Sequence, residues 1–373
     1  MNGEFPKGRT AFLVIHGIGE QNPFETLDSF SRGLWKYLKS QGMDIEGTHQ
    51  LAERKGAGGV HWTESFVRLS SPQGEDWIDT HEHYWAYLTE EKISVPEVWQ
   101  WVDRTLQGTK RFYKEESQLQ RPRRFPLQRV VRTLRLFYPM IRLTLFLISH
   151  SPYLKWLQAI REWIEQLGTP FIVGYIGDIA IYTTMDQKSR HYRVRQQILA
   201  ESQALLEAIL KDEQYDRVIV AGHSLGSVIA YDTLNRLNIK AELPSGVSLP
   251  LAKLQGLITF GSPLDKIAFF FREQVGEDQH VRHQIIQHLH SFKVKPLRQD
   301  PNPYFLTSPV TPKLDELSWV NYYNNKDPIS GRLDFYHKLD NVYLKLPDRW
   351  GVAHGGYWDY KGFYDDIAQR FLA

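Results

Sequence analysis

Apolar residues follow two rhythms along this chain: short unbroken runs, and longer stretches in which they recur every three or four positions. Ala11-Phe-Leu-Val-Ile15, Val218-Ile-Val220 and Leu254-Gln-Gly-Leu-Ile-Thr-Phe260 are runs of the first kind and predict buried strands of a parallel sheet. Phe66–Ser70 and Trp77–Trp85 alternate as strands do, and Trp319–Tyr323 and Asn341–Leu346 read as two late strands. The second rhythm predicts helices over Phe24–Lys39, Gln187–Lys211, Ser227–Leu237 and Gly362–Phe371. Residues 42–62 read as an irregular connection. Strands alternating with helices predict an α/β fold, a mostly parallel central sheet flanked by helices.

One segment breaks this order. Arg121, Arg123, Arg124, Arg129, Arg132, Arg135 and Arg142 occur with no acidic residue between Glu116 and Glu162, and Val131, Leu134, Tyr138, Ile141, Leu145 and Ile148 recur at helical steps. Residues 90–169 therefore read as a helical cap or lid inserted into a core made of 1–89 and 170–373. Two readings of its basic face stand side by side: a solvated roof over the site, or a peripheral membrane contact from Arg121 to Ile148 that meets anionic headgroups. Arg142 interrupts the most apolar part, so a bilayer-spanning helix is not expected.

Composition narrows the chemistry. The 373 residues contain no cysteine, which removes disulfides, thiolate metal sites and a cysteine nucleophile together. A formal net charge of +2 gives no global pull toward nucleic acid. No apolar leader precedes the first strand, so a cytoplasmic location is expected, with peripheral membrane association as its extension. Histidine clusters do not reach metal spacing. His81 and His83 share a strand face and read as a hydrogen-bonded pair, and His280, His283 and His290 read as a solvated helix face with His288 turned away. Asp178 reads as a helix cap and Pro296–Pro312 as a loop near the rim of the site.

The organising stretch is Gly222-His-Ser-Leu-Gly226, a Gly-x-Ser-x-Gly pattern between an apolar strand and a helix. Such a turn strains Ser224, exposes its hydroxyl at the sheet edge and aims the N–H of Leu225 at a carbonyl under attack. His16-Gly17-Ile18-Gly19 follows the first strand, where the N–H of Ile18 can complete an oxyanion hole with Leu225; His16, Gly17 and His223 are placed to touch substrate. Asp327, on the turn after a late strand, suits a triad acid, with Asp265 as its substitute. His354 is the only histidine beyond the last strand and suits the general base, whereas His337 precedes that strand. The order Ser224, Asp327, His354 is that of the α/β-hydrolase arrangement.

His16-Gly-Ile-Gly19, Gly222-His-Ser-Leu-Gly-Ser-Val-Ile-Ala-Tyr-Asp232, Phe260-Gly-Ser-Pro-Leu264, Asp327-Pro-Ile and His354-Gly-Gly-Tyr-Trp-Asp359 together resemble a lipase/esterase-type α/β hydrolase. The run from Gly222, the Gly-Ser-Pro-Leu segment and the Asp-Pro turn are similar to intracellular DDHD-type phospholipases, although no segment matches that family's Asp-Asp-His-Asp signature. The resemblance implies the fold, the triad and carboxylic-ester hydrolysis without a cofactor, and covers roughly 9–40, 171–275 and 318–373. The expected substrate is a lipid or other hydrophobic ester. A soluble ester, thioester or amide, acyl transfer through the same residues, and a non-catalytic interaction module are the alternatives.

Overall fold

The computed structural model describes residues 4–17, 22–55, 61–72, 74–89, 182, 190–243, 249–267, 279–295, 304–327, 329–346 and 353–373. The chain divides into two units, Met1–Glu90 with Thr183–Ala373, and Glu91–Tyr182. The described residues belong almost wholly to the first. The Arg-rich stretch, Asp178 and the 171–181 run lie outside them, as does part of the proline-rich loop.

Eight strands form one sheet: β1 (Arg9–Ile15), β2 (Glu46–Lys55), β3 (His61–Ser70), β4 (Trp77–His83), β5 (Arg217–His223), β6 (Leu254–Phe260), β7 (Ser318–Tyr323) and β8 (Asp340–Tyr343). Their spatial order is β2-β3-β4-β1-β5-β6-β7-β8. Every neighbouring pair from β4 to β8 is parallel, and only the pairs made by β3 are antiparallel. A mixed, mostly parallel α/β architecture follows. Central strands covered on both faces need apolar residues at every position, and β1 is buried from Thr10 to Ile15.

Side chains alternate between the two faces. Phe12, Val14, Ile219, Ala221, Ile258, Phe260, Val320 and Tyr322 share one cluster with α1 (Glu25–Ser40) and the C-terminal helix (Lys361–Phe371), through Phe30, Leu34, Phe363, Tyr364 and Ile367. The opposite face, with Leu13, Val220 and Leu257, is covered by α2 (Arg190–Lys211) and α3 (Leu225–Lys240). The outer part carries α4 (His280–Leu289), with α5 naming the C-terminal helix. The start of α1 is held from the sheet: the Glu82 carboxylate on β4 accepts N–H bonds from Phe24 (2.6 Å), Thr26 (3.1 Å) and Leu27 (3.2 Å), meeting the orphan donors of a helix terminus with negative charge.

The structure corrects two sequence expectations. Residues 46–55 are not irregular but form the edge strand β2, with ten register pairs to β3. Its side chains are mostly exposed, so it carries no apolar signature and rests on ladder bonds. His81 and His83 also do not bond to each other. His81 lies between Glu64 (2.8 Å) and the Tyr215 hydroxyl (3.0 Å) on a buried strand. That contact belongs to a buried polar chain in which Arg54 bonds Glu64 and Asp212 (2.6 Å each), Tyr215 donates to Asp79 (2.7 Å), and Arg68 grips Asp79 with two bonds. Burial would raise the Glu64 carboxyl, but His81 and Arg54 overcome it and hold it below its ordinary range. His83 is buried beside His16, and burial pushes it down to about 3.

Candidate active site

β5 ends at His223 and α3 begins at Leu225, so the chain turns from strand to helix at Ser224 alone, with φ 50° and ψ −125°. A non-glycine residue there costs on the order of 1–3 kcal/mol and persists only where its surroundings dictate it. Here they do. The Ser224 N–H donates to the Phe260 carbonyl (3.0 Å), and the Ser224 carbonyl accepts from the N–H (3.0 Å) and hydroxyl (2.5 Å) of Ser227. A Cβ on Gly226 would stand 2.2 Å from the Ile15 carbonyl oxygen, and one on Gly222 would stand 2.5 Å from that of Gly226. The first turn of α3 is therefore pressed against the end of β1, which only glycines permit. The Ser224 hydroxyl is left buried, with no hydrogen-bond partner among the described residues.

His354 stands on the turn after β8, beside the ring of His223, the residue that precedes this serine. Its Nδ1 donates to Asp327 Oδ2 (2.9 Å), which leaves Nε2 as the basic atom of the ring. Asp327 lies on the turn after β7, 2 % exposed. Its Oδ1 accepts N–H bonds from Ile329 (2.8 Å) and Ser330 (3.2 Å), and its Oδ2 also accepts the Tyr357 hydroxyl (3.0 Å). Burial works to raise the Asp327 carboxyl, but the bond and charge of His354 and the two backbone donors outweigh it and hold it down at about 2.

His223 joins the two parts. Its ring lies 4.7 Å from that of His354, and its Nε2 donates to the His354 carbonyl (2.9 Å). Burial, reinforced by His354, pushes His223 down to about 3, so it stays neutral while it holds the His354 turn. Gly261, with φ 61°, backs both rings: a Cβ there would stand 3.1 Å from each.

A cavity of about 640 Å³ opens here, within the range of small-molecule sites. It is lined by Gly17, His223, His354, Gly355 and Trp358 and, at the start of α1, by Pro23, Phe24, Glu25, Thr26, Asp28 and Ser29. Gly17 touches the serine so closely that a Cβ on it would lie 2.7 Å from Ser224 Cβ. Of the residues singled out in the sequence, Gly17, His223, Ser224, Asp327 and His354 thus come together. Leu225 opens α3, and its N–H is among the donors that a helix start leaves without an intrahelical acceptor. Ile18 and Gly19 lie outside the described residues.

Two other candidates fall elsewhere. His16 is not on the cavity lining: its ring stacks on Trp85 (4.8 Å between centroids), accepts the Trp85 N–H (2.9 Å) and donates to the Gly17 carbonyl (2.6 Å). Burial drives it down to about 4. Asp265 accepts N–H bonds from Asp334 (2.8 Å) and Phe335, while the acid bonded to His354 is Asp327. Burial lifts Asp265 to about 7 against those bonds.

Tyr357, buried and bonded to both Asp327 and Ser330 (3.1 Å), escaped the sequence reading, as did Trp358 and the start of α1. The one available signal was the spacing of Tyr357, three residues after His354. Among the described residues no group of three His, Asp or Glu is placed to hold a metal, and no helix is long and apolar enough to cross a membrane. A serine hydroxyl, an imidazole oriented by a buried carboxylate and a helix start can together carry out nucleophilic attack, proton relay and oxyanion stabilisation. Comparison with protein-family models and with curated proteins finds no match for this chain.

Proposed function

We propose that this protein is a serine hydrolase of α/β-hydrolase type that cleaves a carboxylic ester through an acyl-enzyme. The observation that carries the reading is Ser224, held at φ 50° on a strand-to-helix turn with its hydroxyl buried, next in the chain to His223, whose ring packs 4.7 Å from the imidazole that Asp327 grips at 2.9 Å. In this mechanism His354 Nε2 takes the Ser224 proton as the oxygen attacks the acyl carbon, then returns it to the leaving alkoxide. Asp327 keeps the Nδ1 proton in place and stabilises the imidazolium. The N–H groups of Leu225 and Ile18 receive the oxyanion, and a water activated by His354 releases the acyl group.

Phe24, Pro23 and Trp358 on the cavity lining support an ester with an apolar part. The cap role and membrane contact of residues 90–169 remain part of the proposal, as does a cytoplasmic setting. The test is labelling by a fluorophosphonate together with turnover of p-nitrophenyl butyrate, wild type beside Ser224→Ala. Labelling of wild type alone, with a fall in kcat of at least about 10³-fold in the variant, supports the reading. Unchanged turnover in Ser224→Ala, or no labelling of folded wild type, overturns it.

A further inference from the structure

Among the described residues, the acidic and basic side chains that line the cavity near Ser224 are all acidic, leaving aside the two histidines. Glu25 and Asp28 both line it, one helical turn apart on the exposed side of α1, and among the described residues no lysine or arginine is on the lining. Glu25 is fixed by the N–H (3.1 Å) and side-chain amide (2.7 Å) of Asn22, bonds that lower its carboxyl further and keep it ionised. Asp28 is bonded to Arg32 (3.2 Å), but Arg32 also reaches Asp359 (3.7 Å), so one cation is shared between Asp28 and Asp359. The remaining large side chains on the lining are aromatic: Phe24, 53 % exposed, and Trp358, which packs edge-on to His223 at 5.1 Å. Gly17, also on the lining, abuts Ser224, whose buried hydroxyl has no hydrogen-bond partner among the described residues.

Carboxylates that attract positive charge, with aromatic faces that receive a poorly hydrated cation, recognise alkylammonium groups. Resting on the hydrolase reading, we infer that the substrate of this site is an ester carrying a cationic group, a quaternary or protonated amine, seated between the first turn of α1 and Trp358 while the carbonyl reaches Ser224. Steric fit alone would not distinguish such an ester from an uncharged molecule of the same shape. The lining would, and it disfavours an anionic leaving group by the same field.

The experiment compares butyrylcholine with 3,3-dimethylbutyl butyrate, in which carbon replaces the quaternary nitrogen. Both are assayed at pH 7 and low ionic strength with wild type and with Glu25→Gln/Asp28→Asn. Wild type is expected to show a kcat/KM for butyrylcholine at least about tenfold above that for the neutral ester. That ratio should shrink with added salt and collapse toward one in the double variant, because exposed carboxylates act through a screened field. Both substitutions lie on an exposed helix face and keep the side-chain size, so circular dichroism should be unchanged. Equal kcat/KM for the two esters in wild type, with Ser224 labelled by fluorophosphonate, would overturn the cationic specificity and leave the hydrolase intact. Failure of labelling together with hydrolysis of neither ester would overturn the hydrolase and this inference with it.

Discussion

Asp327→Asn is the substitution whose outcome the geometry specifies most narrowly. The two carboxylate oxygens have separate duties: Oδ1 accepts two backbone N–H bonds, and Oδ2 accepts from His354 Nδ1 and the Tyr357 hydroxyl. An asparagine must put its carbonyl oxygen on one side and its NH₂ on the other. Facing the NH₂ toward Ile329 and Ser330 would set a donor against two fixed donors, so it will face His354 instead. There it can only donate, which forces the imidazole proton from Nδ1 to Nε2 and directs an N–H at Ser224 where a base is needed. The fold survives and the base is lost. A change of tautomer with intact geometry costs about 10⁴ in kcat, or about 5 kcal/mol of transition-state stabilisation. The assay is p-nitrophenyl butyrate turnover with the rate of fluorophosphonate labelling, beside a thermal melt to show that the variant is folded. A kcat within about tenfold of wild type in a folded variant would refute the assignment of Asp327 as the orienting acid.

Three further outcomes follow from the packing and the buried charges. His16, His83 and His223 have folded values near 4, 3 and 3 and stay neutral when the unfolded chain, near 6.5, takes up protons. The stability they hold is complete above about pH 6.5 and is lost as pH falls toward 4; at pH 5 unfolding should absorb about three protons at these histidines and release about one from Asp265, a net uptake of about two measured from the buffer dependence of calorimetric enthalpy, and a net release would contradict their burial as neutral rings. Gly226→Ala drives a methyl into the Ile15 and His16 carbonyls and should cost at least about 2 kcal/mol in denaturant unfolding, against no loss if the turn can relax. Glu64→Gln removes the charge shared by Arg54 and His81 in a dry site and should cost about 3 kcal/mol; a loss under about 0.5 kcal/mol would show that this chain of bonds carries no stability.

What could be read beforehand and what could not divide along physical lines. The central parallel strands announce themselves because both faces are buried and every position is apolar, as in Phe12 to Ile15. The meeting of Asp327 with His354 was legible because sheet topology sends strand ends to one edge, so chain order alone predicts it. β2 was not legible, since Leu51, its largest apolar side chain, is 65 % exposed and its pairing is made by the backbone. Tyr357 and His223 as supports of Asp327 and His354 were hidden for a different reason. Their partners are a carboxylate 30 residues away and a carbonyl 131 residues away, contacts that no local period encodes. The pairing of Glu64 with His81 escaped for the same cause, so His81 looked like the partner of its strand neighbour His83.

The strand order divides the sheet in a way that the chain order conceals. β2-β3-β4-β1 all come from residues 9–83, and β5-β6-β7-β8 all come from residues 217–343, each set contiguous in space. The halves meet along one seam, six register pairs between β1 and β5 from Thr10↔Arg217 to Ile15↔Gly222, reinforced where α1 packs on α5 and where Arg54 reaches Asp212. Ser224, Asp327 and His354 all ride on the second half. The first contributes Gly17, the cavity wall and the strand end against which Gly226 is pressed. The close approach that requires glycine at position 226 is therefore made against a half-sheet that is separable in topology. Two fragments divided between residues 90 and 182 would form a complementation pair, in which the piece bearing Ser224, Asp327 and His354 meets the close approach at Gly226 only when the other docks.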